Sequence, residues 1–160
     1  VPCAIDQDPY FRMTRDVAAK LGKTKPALLH CKFIPSLQGD TTKMSASDSG
    51  TAIYLTDTAK EVKKKINKYA FSGGQATVEL HRELGGDTTT DVAYRYLEFF
   101  EPADEQLRQI GEDYRAGKIL SGEMKALAIS CVQKVIEKHQ QARSQVTDDV
   151  LAVFMKRRPL

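Results

Sequence analysis

The chain has 160 residues, 41% of them hydrophobic, and 24 Lys and Arg against 21 Asp and Glu give it a formal charge of +3. That length and composition fit one ordinary globular domain or two small ones, and no apolar run approaches the roughly 20 residues a membrane-spanning helix needs, so no membrane partner is expected. The charge excess is too small to prove a polyanionic partner, although local clustering can still create a basic face. Cys3, Cys31 and Cys131 are odd in number and widely spaced, which suits neither a disulfide framework nor a zinc site and points to a reducing, cytoplasmic setting.

Val1-Pro2-Cys3-Ala4-Ile5 has strand character from the first residue, with no initiator Met or secretory signal, which reads as a start inside a larger protein. Asp6-Gln7-Asp8 follows as a polar turn. With Asp8 as cap, Pro9 in the first turn and Gly22 at the exit, the apolar spacing through Tyr10, Phe11, Met13, Val17, Ala18 and Leu21 predicts a helix. Lys25-Pro26 opens a second apolar run over 27–34, a further strand of the same sheet. The stretch GDTTKMSASDSG, residues 39–50, then sets one lysine and one methionine among small hydroxylated residues between glycines, the composition of a surface loop.

Beyond the loop, Ile53-Tyr54-Leu55 is short and extended, a third strand, and Thr56-Asp57 can cap a helix from about Thr58 to Tyr69. Helical spacing continues over 78–84, 91–100, 104–115 and from Ser121 onward, broken by Gly85-Gly86, Pro102 and Gly117. Met124, Leu127, Ala128, Cys131, Val135, His139, Ala142, Val146, Val150 and Phe154 recur every three or four positions and predict one long buried face, and Thr147-Asp148-Asp149 can start a separate final helix. An α/β piece, 1–56, thus precedes a helical piece, 57–160. Three short strands cannot cover both faces of a parallel sheet, so the rest of that sheet is expected upstream.

In an open α/β sheet, ligands bind just past the carboxyl ends of the strands, where Asp6 and Gln7 fall. A carboxylate there can accept from sugar hydroxyls, and an amide can accept from an ammonium; equally, both side chains can simply close the turn. Lys43, Ser45 and Ser47, on a loop bounded by glycines, can fold over a triphosphate and meet the charge that develops on departing pyrophosphate. Lys60, Lys63, Lys64, Lys65 and Lys68 crowd one short helix with Glu61 as the only acid, either a footprint for nucleic-acid phosphates or a solvated face. Tyr94 and Tyr96 can stack on bases or pack in a core. Phe71-Ser72-Gly73-Gly74 can offer backbone amides to an anion or end the lysine-rich helix. His30, His81 and His139 stand apart from one another and read as packing or surface, and no dedicated metal site is expected.

Lys43-Met44-Ser45-Ala46-Ser47 resembles the KMSKS signature of class I aminoacyl-tRNA synthetases, and Ala4-Ile5-Asp6-Gln7 sits where that family places its G-x-D-Q strand end. AIDQDPYFRMTRDVA, followed in order by KPALLH, LQG, KMSAS, LTDTAK and NKYAFSGG, is similar to the eukaryotic and archaeal type of tryptophanyl-tRNA synthetase over essentially the whole chain. The resemblance implies an α/β Rossmann-like catalytic-domain remnant, 1–56, followed by an all-α helical anticodon-binding domain, 57–160. It implies activation of L-tryptophan by ATP, with Mg2+ carried on the nucleotide, to tryptophanyl-AMP, and transfer to tRNA(Trp).

By the same resemblance Lys43 and Ser45 are catalytic. Asp6, Lys43, Met44, Ser45 and Ser47 would bind ATP, Asp6 at the ribose; Gln7 would hold the amino group of tryptophan; and the lysines from Lys60 to Lys68 would meet tRNA. Ala46 stands in place of the second lysine of the wider signature, and Ala4 in place of its glycine, so Lys43 carries more of the phosphate charge than in a two-lysine loop. The HIGH signature and most of an indole pocket are absent from these residues. The chain alone is therefore expected to be inactive, its partners including the missing N-terminal part of the catalytic domain, with a homodimer when complete. The rival readings are a tyrosyl-tRNA synthetase, a non-catalytic RNA-binding or signalling fragment of a synthetase, and a structural helical protein with a decorative loop.

Overall fold

The computed structural model describes residues 1–39, 42, 44, 45 and 47–157. It divides into two compact units, Val1–Ile34 and Pro35–Leu160. This boundary lies upstream of the expected 56/57 division, because Leu37, Ala52 and Ile53 pack within the second unit. Helix dominates the chain and the sheet is small.

The first unit runs strand, helix, strand. β1 (Pro2–Ala4) pairs in parallel with β2 (Leu29–Cys31), in register Pro2 to Leu29, Cys3 to His30 and Ala4 to Cys31. Between them a single 3₁₀ turn, Ile5–Gln7, leads into α1 (Asp8–Lys20). Gln7, not Asp8, occupies the N-cap; Asp8 is the first helical residue, where its carboxylate favours the positive end of the helix dipole and accepts from Arg12 Nε at 2.6 Å. The exit is a Schellman motif, with Lys23 N–H donating to Ala18 O at 2.8 Å and Gly22 N–H to Ala19 O at 3.2 Å. It needs the left-handed conformation that Gly22 adopts at φ +66°. No residue of α1 is buried, and Leu29 on β2 is 68% exposed. A parallel pair left open on its faces is the arrangement that requires further cover.

Two strands, not three, form the sheet among the described residues. Ile53 and Tyr54 form no strand: Ile53 packs on the helical core, and the Tyr54 amide donates to Asp57 Oδ2 at 2.8 Å. A carboxylate three residues on thus takes the hydrogen bond a neighbouring strand would have taken.

The second unit holds α2 (Ala59–Tyr69), α3 (Val78–Leu84), α4 (Val92–Phe100), α5 (Asp104–Arg115), α6 (Ser121–Ser144) and α7 (Asp148–Met155). Thr58 caps α2 in a reciprocal box with Glu61: its hydroxyl accepts from Glu61 N, and the Glu61 carboxylate accepts from Thr58 N at 2.8 Å. These bonds from Thr58 hold the Glu61 carboxyl below its usual range. Asp57, one of the expected caps, turns inward instead. Thr77, Asp91 and Thr147 cap α3, α4 and α7 through their side chains.

Two apolar clusters share α4 and α6. Leu37, Val62, Ile66, Val92, Tyr96, Ile129, Val132 and Ile136 belong to the first; Ala93, Leu97, Ile110, Tyr114, Met124 and Ala128 belong to the second. The long face expected from Met124 through Cys131 and Val135 to Phe154 is therefore corrected. Two neighbours pull α6 in different directions, so Ile129, Val132 and Ile136 are buried while Val135 is exposed and α7 buries none of its residues. Tyr96 is a core residue and no base platform, buried with its hydroxyl donating to Pro35 O at 3.2 Å.

Burial raises the Tyr96 hydroxyl to about 12 and, with some help from the Asp91 carboxylate, the Tyr114 hydroxyl also to about 12. Both stay protonated in the folded chain while an unfolded tyrosine ionises near 10, so their contribution is complete below pH 10 and is lost as pH rises towards 12. Urea midpoints measured across that window are expected to fall steeply, and Tyr96→Phe should flatten part of the fall.

Candidate active site and nucleic-acid face

In the first unit, Asp6 and Gln7 sit in the turn directly after β1, both exposed, and Gln7 Nε2 donates to Asp6 Oδ2 at 3.1 Å. The turn ends β1 because Ile5–Gln7 tightens into 3₁₀ geometry before Pro9 fixes the first turn of α1. This leaves one carboxylate and one amide side by side at the carboxyl end of a strand, with free acceptor and donor capacity toward solvent. His30 lies on β2 with Nε2 3.2 Å from Asp8 Oδ1.

In the second unit, the loop over 38–50 is closed at its neck by the Leu37 amide donating to Thr51 O at 3.0 Å. Leu37 O accepts from Phe71 N at 2.8 Å and Phe71 O from Val92 N at 3.1 Å, which ties that neck to the end of α2 and the start of α4. Lys43 and Ala46 lie outside the described residues. Of the other loop residues predicted to face ATP, Met44 and Ser47 are exposed, and Ser45 is half-buried with its hydroxyl 2.8 Å from that of Ser47. Sequence reasoning missed Thr51. It is 2% exposed, and its hydroxyl accepts from Ser45 N at 3.0 Å and approaches the carbonyls of Asp48 and Ser45 at 2.8 and 3.1 Å.

The lysines of α2 separate into two groups. Val62 and Ile66 are buried, while Lys60, Lys63, Lys64 and Lys68 are exposed on the helix's other side. Lys65 is turned inward. Its ammonium donates to Asp57 Oδ2 at 2.6 Å and sits 4.0 Å from the centre of the Tyr54 ring, so its charge is already partnered. The sequence signal for this pair is the eight-residue separation of Asp57 and Lys65 around the first turns of α2, legible only once Thr58 is known to be the cap. Beside it a depression of about 380 Å³ opens between Ser49, Tyr54, Lys64 and Tyr69.

Phe71-Ser72-Gly73-Gly74 does not present its amides to an outside anion. Gly73 N–H donates to Asp91 Oδ2 at 2.9 Å and Gly74 N–H to Ser72 Oγ at 3.3 Å. The same Asp91 oxygen accepts from Tyr114 OH at 2.8 Å, and Oδ1 accepts from Tyr94 N at 3.0 Å. Gly73 is required, since a Cβ there would lie 2.0 Å from the backbone oxygen of Asp87; one at Gly74 would lie 2.2 Å from Ser121 Oγ, which would have to turn away. His81 is likewise structural, buried with Nε2 2.9 Å from Ile119 O and its ring 5.1 Å from that of Tyr114. Among the described residues no cluster of three or more His, Cys, Asp or Glu could hold a metal, and no helix is long and apolar enough to cross a membrane.

The ordered pieces at the strand end, in the loop and after α2 are those of one family, and its model, described as tRNA synthetases class I (W and Y), matches residues 1–137. The chain belongs to this family. It is 58% identical over 155 residues to the cytoplasmic tryptophan–tRNA ligase of Saccharomyces cerevisiae, covering 97% of this chain and 36% of that protein. Against the cytoplasmic tryptophan–tRNA ligase of Homo sapiens the identity is 55% over 160 residues, covering 100% of this chain and 34% of that protein. Its structure is similar to that of the tryptophanyl-tRNA synthetase from Giardia lamblia, with a TM-score of 0.93 at 47% identity over 99% of this chain and 39% of the other. The chain thus spans about a third of the length of the curated relatives it matches.

Proposed function

We propose that this chain is the carboxyl-terminal portion of a tryptophan–tRNA ligase, supplying the ATP loop and the tRNA-binding helices to a catalytic centre completed by sequence its relatives carry. The observation that carries the reading is the identity of 52–58% with tryptophan–tRNA ligases over nearly the whole chain, with AIDQ and KMSAS in place. In this reading, residues 1–56 end a Rossmann-like catalytic domain and 57–160 form the anticodon-binding domain. The protein works in the cytoplasm as a homodimer.

The tryptophan carboxylate attacks the α-phosphorus of ATP, the bond to the bridging oxygen breaks, and pyrophosphate leaves with Mg2+. A hydroxyl of the terminal tRNA ribose then attacks the acyl carbon and AMP departs. Gln7 orients the substrate amino group and Asp6 the ribose, so that the nucleophile meets phosphorus in line. Lys43 and the hydroxyls of Ser45 and Ser47 stabilise the charge that accumulates on pyrophosphate, with Met44 in the same ATP loop. Lys60, Lys63, Lys64 and Lys68 face tRNA phosphates; Lys65 supports the fold through Asp57.

The test is aminoacylation by the chain extended upstream through the part its relatives carry, with tryptophan and tyrosine compared in parallel. Charging with tryptophan alone is expected; charging with tyrosine would move the assignment to the other member of the W and Y group. Changing the four exposed lysines to Gln should weaken tRNA binding and flatten its dependence on log salt by up to about 0.7–0.9 for each phosphate that a lysine no longer neutralises. An unchanged slope would mean that this helix face is merely solvated.

A further inference from the structure

We propose that Thr51 is a positioning residue of the ATP loop, its buried hydroxyl fixing Ser45 in the direction needed to meet the leaving pyrophosphate. The inference rests on the function proposed above, in which Ser45 touches the phosphates and Thr51 does not. Three features carry it. Thr51 is 2% exposed although it lies at the end of a loop of small polar residues. Its hydroxyl holds Ser45 from outside the signature: Ser45 N–H donates to Oγ1 at 3.0 Å, and Oγ1 donates its one proton to Asp48 O at 2.8 Å, with Ser45 O at 3.1 Å as the alternative acceptor. Its backbone is clamped as well, since Thr51 N donates to Asp48 O at 3.1 Å and Thr51 O accepts from Leu37 N at 3.0 Å.

The consequence is a rigid seat at one side of an otherwise small and polar loop. With its amide and carbonyl both facing Thr51, Ser45 presents its hydroxyl to Ser47 at 2.8 Å, which sets the two hydroxyls as a pair. A pair fixed before the reaction needs no reorganisation as charge develops, which is the condition under which hydroxyl donors accelerate a step. Removing the Thr51 hydroxyl leaves Ser45 N–H without its partner and Asp48 O with the Thr51 amide alone, and the seat loosens.

The experiment uses the upstream-extended protein and compares Thr51→Val, nearly the same shape without the hydroxyl, with Thr51→Ser, which keeps it. Tryptophan-dependent exchange of pyrophosphate into ATP is measured, alongside melting temperature and hydrogen exchange at the Ser45 amide. Thr51→Val is expected to lower kcat on the order of 10- to 100-fold with little change in the KM for tryptophan, and to speed Ser45 amide exchange. Thr51→Ser should keep both near the parent values. In a Ser45→Ala background the Val substitution should cost little more, because the two act as one unit. A folded Thr51→Val protein with parental kcat, or an equal further loss in the Ser45→Ala background, would overturn the proposal. Absence of exchange in the parent protein would instead remove the functional reading, and the Ser45 amide would still report whether Thr51 holds the loop.

Discussion

Replacing Lys43 with Ala in the upstream-extended protein is expected to slow tryptophan-dependent adenylate formation on the order of 100- to 1000-fold while changing tryptophan affinity little. Pyrophosphate leaves with more negative charge on its bridging oxygen than it had in ATP, so a cation placed at that oxygen stabilises the transition state more than the bound substrates. The wider class I signature sets two lysines in this loop, and here Ala46 stands in place of the second. Neutral hydroxyls at Ser45 and Ser47 cannot substitute for a full charge, so the effect of removing Lys43 should be correspondingly large. Tryptophan bound through Gln7 does not touch that charge in this scheme. Pre-steady-state adenylate formation separates rate from binding, and a rate within a few fold of the parent would refute the role.

The second large effect falls on stability. Asp91→Ala is expected to destabilise the chain by roughly 3 kcal/mol or more. Asp91 is 1% exposed and serves three elements at once: it caps α4 at Tyr94 N, holds Gly73 N, and accepts from Tyr114 OH. Loss of the cap alone costs about 1 kcal/mol, and each buried donor left without a partner adds about 1–3 kcal/mol. Asp91→Asn keeps acceptor capacity on one oxygen and should fall between Ala and the parent. Urea unfolding with unchanged slope measures the difference; a loss under about 1 kcal/mol for Ala would mean that water replaces the carboxylate.

Where local chemistry decides structure, the sequence was readable. Pro9 and Gly22 bracket α1, Pro102 and Gly117 bracket α5, and Thr147 begins α7, because capping and chain-breaking act within a turn of the residue concerned. Ile53-Tyr54-Leu55 misled because an extended apolar triplet does not reveal its hydrogen-bond partner, and Asp57 takes the place of a strand. Asp57 and Thr58 both have the chemistry of a cap; the reciprocal box with Glu61 selects Thr58, and Asp57 pairs with Lys65 instead. Along α6 the period was right but the face was wrong past Ala128, since the burial of Val132 and Ile136 depends on where α2 and α4 lie.

The candidate site was proposed in a different way. Asp6, Gln7, Lys43, Ser45 and Ser47 stand out because their types and order carry a resemblance, which needs no knowledge of packing. Thr51 and Asp91 stayed hidden for the opposite reason. A threonine at the end of a polar loop and an aspartate before a helix are common, and what distinguishes these two is the bonds they make, Thr51 with Ser45 and Leu37, Asp91 with Gly73 and Tyr114.

The most direct test of the functional account is tryptophan-dependent exchange of pyrophosphate into ATP, measured for this chain and for the same chain extended upstream through the part its relatives carry. Exchange in the extended protein and none in the chain alone is the predicted result, and would place the ATP loop in a synthetase whose chemistry needs both parts. No exchange in either, with both proteins folded, would contradict the account and favour an RNA-binding role for the helices.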